Sequence, residues 1–253
     1  MARRLIIHCL PPDAPGDALQ RRYFDPCVPA RRRMALSDPL HALRTRYPET
    51  TPLPGPLVRL VSGPAPFRYF DGADDTAVYV LVLGDPAEMF LRGARRVLEA
   101  GIEDGRRVAG PGFQPRPGDD LDATALRLLE ADWARRTRLN PLTRLCAGAP
   151  LAAAEAEGSA GAEALLRAAE ANLARTNLLV GFEGALDGFA RYLSGVFGWT
   201  PPAHAVEPSS AKARRPGPLQ DAVRPETLAA VREATRVDAA LLQAARQAEP
   251  LEV

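Results

Sequence analysis

Apolar positions along the chain fall into two kinds of run, short continuous blocks and longer stretches with helical spacing. The blocks predict buried strands at Arg4–Cys9, Leu57–Ser62, Ala77–Leu83 and Leu178–Phe182. AVYVLVL, Ala77–Leu83, is the clearest of them: it is unbroken and rich in β-branched residues, as a central parallel strand should be. Helical spacing predicts helices at Gly16–Tyr23, Ala35–Tyr47, Asp122–Arg136, Pro141–Ala147, Ala160–Arg175, Gly184–Phe197 and Pro225–Gln247. A further helix follows Ala77–Leu83 at once and runs to Gly101. Its start is well signalled, with Asp85 at the N-cap, Pro86 at the first helical position and Glu88 placed to close a capping box. Gly101–Gly118 reads as an irregular Gly/Pro loop, and Thr200–Pro218 as a linker or surface loop.

Strands alternating with helices predict an α/β, three-layer fold with a mostly parallel sheet. No repeat and no strong boundary divides the 253 residues, so a single domain over 1–253 is expected.

Composition narrows the picture. The chain is 46% hydrophobic and 25% charged, as a soluble domain with a sizeable core would be. A net charge of +1 argues against bulk attraction to nucleic acid or a membrane surface. LIIHCL is too short for a signal-peptide core, and no apolar run is long enough for a membrane span, so a cytoplasmic protein is expected. Lys212 is the only lysine, a bias that suggests a GC-rich bacterial genome. Cys9, Cys27 and Cys146 form neither a CxxC pair nor a metal spacing, and are expected as reduced, mostly buried thiols. His8, His41 and His204 are too scattered for a metal site. No GxSxG, HExxH or intact Walker A sequence is present.

The candidate chemistry begins at HCLPPDAPGDAL, where a strand enters a loop before a helix, as in phosphate-binding units. The loop has no Lys, Ser or Thr. Asp13 and Asp17 would repel a phosphate, and Pro11, Pro12 and Pro15 remove N–H donors.

Three later stretches complete a pattern: ANLARTNLLVGFEGALDGFARYLSGVFGW (Ala171–Trp199), NPLTRLCAG (Asn140–Gly148) and RPETLAAVREATRVDAALLQAA (Arg224–Ala245). Their order resembles the carbohydrate sulfotransferases related to the uronyl 2-O-sulfotransferases. That resemblance implies a P-loop-like sulfotransferase fold and the sulfate donor PAPS. It marks His8 and Gly16 at the first loop, and Asp85 and Arg92 at the strand–turn–helix, as donor-site positions. It places Lys212, Arg214 and Arg215 in a late nucleotide-facing segment, and Asn140 and Arg144 near the acceptor.

The groups that would carry the family's chemistry are replaced. Gly84 stands for the phosphate-binding Arg, Arg92 for its Ser, and Pro64 in SGPAPF for the base His. The resulting expectation is a sulfotransferase-like pseudoenzyme with an eroded donor site and no catalytic residue, acting as a binding or scaffold protein. Its partner would be a carbohydrate or a protein, with no nucleic acid; oligomerisation stays open. No cofactor is expected unless the site has been rebuilt, when it would be PAPS or PAP. The alternatives are an active PAPS-dependent carbohydrate sulfotransferase with such a rebuilt site, and a regulatory partner of an active paralogue. The bland readings stand beside these: His8 as a buried core residue, Arg92 as a helix-pairing Arg, Asn140 and Arg144 as helix-end structure. The Arg run in ARRRM, Ala30–Met34, reads as a solvated face or an acceptor-side patch.

Overall fold

Five short runs pair side by side, all parallel, in the order β2-β3-β1-β4-β5. They are β1 (Leu5–Cys9), β2 (Arg33–Ala35), β3 (Leu60–Gly63), β4 (Ala77–Leu83) and β5 (Leu178–Phe182). The structure, a computed structural model, describes residues 5–10, 16–36, 57–68, 77–101, 104–105, 109, 113, 116–132, 138–148, 159–200 and 217–248. The helices are α1 (Gly16–Leu19), α2 (Asp25–Cys27), α3 (Pro86–Glu99), α4 (Leu121–Glu130), α5 (Pro141–Ala147), α6 (Ser159–Leu173), α7 (Leu186–Phe197), α8 (Pro225–Ala234) and α9 (Arg236–Ala248). A wide π-type turn, Gln20–Phe24, joins α1 to α2.

Alternation along the strands builds three layers. Leu5, Ile7 and Cys9 of β1, with Tyr79, Leu81 and Leu83 of β4, pack towards Leu142 and Cys146 of α5, Ala169 of α6 and Leu241 of α9. The opposite set, Ile6, Leu60, Val80 and Val82, packs on Tyr23 and Phe24 of the π-type turn and on Phe189 and Leu193 of α7. A second helical core joins α3, α4 and α8 through residues such as Leu91, Leu128 and Val231. The chain builds β2 and β3 on one side of β1, then β4 and β5 on the other. In open parallel sheets, a ligand crevice lies beyond the strand C-termini at such a reversal.

Several boundaries differ from the sequence reading. β3 starts at Leu60, and Ala35 closes strand β2 instead of opening a helix; the remainder of the expected helix, 37–47, lies outside the described residues. Within the Arg run, Arg33 and Met34 pair with Leu60 and Val61 at a sheet edge. α4 ends at Glu130 because Ala131 turns extended, with ψ 117. The last helix is two: Thr235 interrupts it with ψ 14 while its hydroxyl donates to the Val231 carbonyl at 2.9 Å. Gly101, Asp104, Gly105 and Ala109 are helical within the expected loop.

No helix among the described residues is long and apolar enough to cross a membrane. All three cysteines are free; Cys9 and Cys146 are buried.

Candidate functional site

β1 delivers His8 to the C-terminal crest of the sheet, on the face it shares with Ile6. Its ring packs on Phe24 with centroids 4.8 Å apart and has no exposed surface. His8 Nδ1 lies 2.8 Å from Gln20 Oε1, which also accepts from Ser62 Oγ at 2.9 Å. Gln20 Nε2 donates to Asp25 at 2.7 Å, and Arg33 donates to the same carboxylate at 2.5 Å. The Asp25 contact fixes the Gln20 amide with its oxygen towards His8. A carboxamide oxygen only accepts, so His8 carries its proton on Nδ1 and presents a bare lone pair at Nε2. That atom has no hydrogen-bond partner among the described residues. Burial lowers the His8 pKa to about 4, against the upward pull of the Gln20 bond and the Asp25 charge. His8 is therefore a neutral, fully packed imidazole.

The turn from β4 into α3 keeps its capping function. Asp85 accepts from the Glu88 N–H at 2.9 Å. The capping box stays open, because Glu88 reaches away to accept from Leu219 N–H at 2.9 Å. Arg92, one turn further along, pairs with Glu183 just beyond β5 at 2.7 Å and lies 3.8 Å from Glu88. In the described contacts Arg92 faces two carboxylates, Glu88 and Glu183, and already bridges α3 to the end of β5. An incoming phosphate would meet repulsion and would have to displace Glu183.

The segment around Pro64, where a base His was expected, is packed into the protein. Gly63 through Phe67 is buried. Gly63 has φ +148, and a Cβ there would sit 2.6 Å from the Leu36 Cβ, so only glycine fits. Phe67 N–H bonds the Leu145 carbonyl at 2.7 Å, and its ring meets Tyr79 edge-on at 4.9 Å. Pro64 offers neither a proton acceptor nor access.

Asn140 and Arg144 belong to a helix junction. Asn140, left-handed at φ 52, donates to the Ala234 carbonyl at 3.2 Å and accepts from Asp238 N–H at 3.1 Å. Asp238 caps α5 from a distance: it accepts from Leu142 N–H at 3.1 Å, Thr143 N–H at 2.7 Å and the Thr143 hydroxyl at 2.6 Å. Burial raises its pKa to about 6, while those donors and the Arg144 charge pull downward. Sequence reading missed Asp238. The available signal was an Asp within an apolar helical stretch; the start at Asn140-Pro141 gave none, because Asn is itself a favoured N-cap and only the fold shows that it makes no local cap.

Gly16 opens α1. Residues 11–15 of the first loop, and Lys212, Arg214 and Arg215, lie outside the described residues. Among those described, no hydrogen bond or ion pair joins His8 to Asp85 or Arg92. Comparisons with family models, curated proteins and solved structures find no match.

Proposed function

We propose that this chain is a sulfotransferase-like protein of P-loop-like type whose PAPS site has eroded, working as a non-catalytic binding or scaffold protein. The observation that carries the reading is the pairing of Arg92 with Glu183 and Glu88. Arg92 is the one cation at a resemblance-marked donor position among the described residues, and it is committed to holding two elements together. Three further observations support the reading. His8 is neutral and enclosed. Pro64 is buried where a base would stand. Asp85 serves as a helix cap. The sheet order, with β1 central and a reversal beside it, suits a P-loop-like ancestry. A reducing cytoplasm suits three free thiols.

The test is a pair of assays on the full chain, thermal unfolding with added PAP and sulfate release from PAPS. The expected result is an unchanged midpoint and no release, since a ligand far below its Kd adds no stability. A shift of several degrees that is lost in Arg92→Ala would instead support a rebuilt donor site.

A further inference from the structure

The outer edge of β5 is unpaired among the described residues. Tyr79 N–H donates to the Asn177 carbonyl, and the β4–β5 register sets Leu179 and Gly181 to bond with β4. The N–H and C=O groups of Val180, the N–H of Phe182 and the carbonyl of Leu178 therefore point away from the sheet. Leu178 N–H is already used by the Arg175 carbonyl at 3.2 Å. An open groove follows this edge, lined by Leu178, Leu179, Tyr192, Ala244, Gln247 and Ala248. Tyr192 is 49% exposed, although it is a large apolar ring. β5 reads LLVGF, with no charge, proline or bulge to discourage pairing.

We infer that β5 pairs antiparallel with β5 of a second copy, about a two-fold axis through Val180, to make one continuous sheet. The edge is self-complementary in this register. The two Val180 residues exchange N–H···O=C bonds, and each Phe182 N–H meets the Leu178 carbonyl of the other copy, the group left unused there. The small side chains of Ala244 and Ala248 leave room for the approaching strand. Charge favours the same pairing. Exposed Arg175 precedes the strand and exposed Asp187 follows it, so antiparallel copies bring opposite charges to both ends. A foreign peptide would gain the backbone bonds but would have no reason to carry this reversed charge order.

The test is sedimentation equilibrium of the full chain with deuterium exchange of the Val180 amide. The 27.2 kDa monomer should give way to its dimer between about 1 and 100 µM. Arg175→Glu and Asp187→Arg each replace an attraction by a repulsion at both ends, and each should weaken the dimer by about fivefold or more at low salt. Combining them should restore it. Both positions are exposed, so the fold should tolerate the changes. Val180 exchange should slow as concentration rises. A protein that stays monomeric through this range would overturn the proposal. So would a dimer indifferent to both charge reversals, with Val180 exchange independent of concentration.

Discussion

His8 and Asp238 are buried ionisable groups whose pKa values move in opposite directions on folding. His8 falls from 6.5 to about 4, so its contribution is fully present above pH 6.5 and is lost as pH falls towards 4. Asp238 rises from 3.8 to about 6, so its contribution is fully present below pH 3.8 and is lost as pH rises through 6. Each shift corresponds to roughly 3 kcal/mol, so between pH 7 and 4 the two largely cancel. Asp238→Asn should leave the His8 dependence exposed, and the variant should weaken steadily on acidification. His8→Gln should do the reverse and gain stability as pH falls from 7 to 4. Urea denaturation at pH 7, 5.5 and 4 checks both; parallel profiles for parent and variants would contradict the assignment. Asp85 gives a smaller test. Its bond to Glu88 N–H caps α3, and Asp85→Ala should destabilise by about 1 kcal/mol in urea denaturation at pH 7.

At the scale of elements, contiguous apolar pattern was a reliable guide. β1, β4 and β5 stand close to where LIIHC, AVYVLVL and LLVGF placed them. β2 was illegible because its apolar run, Met34–Leu36, is only three residues long and follows three arginines; pairing with β3 and the Arg33–Asp25 contact impose the strand. The break in the last helix was hidden for a related reason, since apolar spacing continues through Thr235 while its hydroxyl draws on the backbone. Of the candidate site, the cap at Asp85 and the pairing tendency of Arg92 were readable. Partners that come from distant segments were not: Gln20 for His8, Glu183 for Arg92 and Asp238 for α5. Gly181 offers a direct probe of how α7 seats on the sheet. A Cβ at that position would lie 2.2 Å from Phe189, so the ring must move. Gly181→Ala should destabilise by about 1–3 kcal/mol, and Phe189→Leu in the same chain should recover part of that loss. Chemical denaturation of the single and double variants measures it; additive losses would place the Phe189 contact elsewhere.

Across the whole molecule, a five-stranded parallel sheet carries helices on both faces. The groups at its crest are turned to internal bonds: Arg92 to Glu183, Asp85 to a helix end, His8 to Gln20. The measurement that bears most directly on this account is calorimetric titration of the full chain with PAP. The account predicts no binding heat up to about 1 mM, because a Kd no tighter than that reflects less than about 4 kcal/mol of standard binding free energy. Saturable micromolar binding, weakened by Arg92→Ala, would contradict it and favour the alternative of a rebuilt nucleotide site.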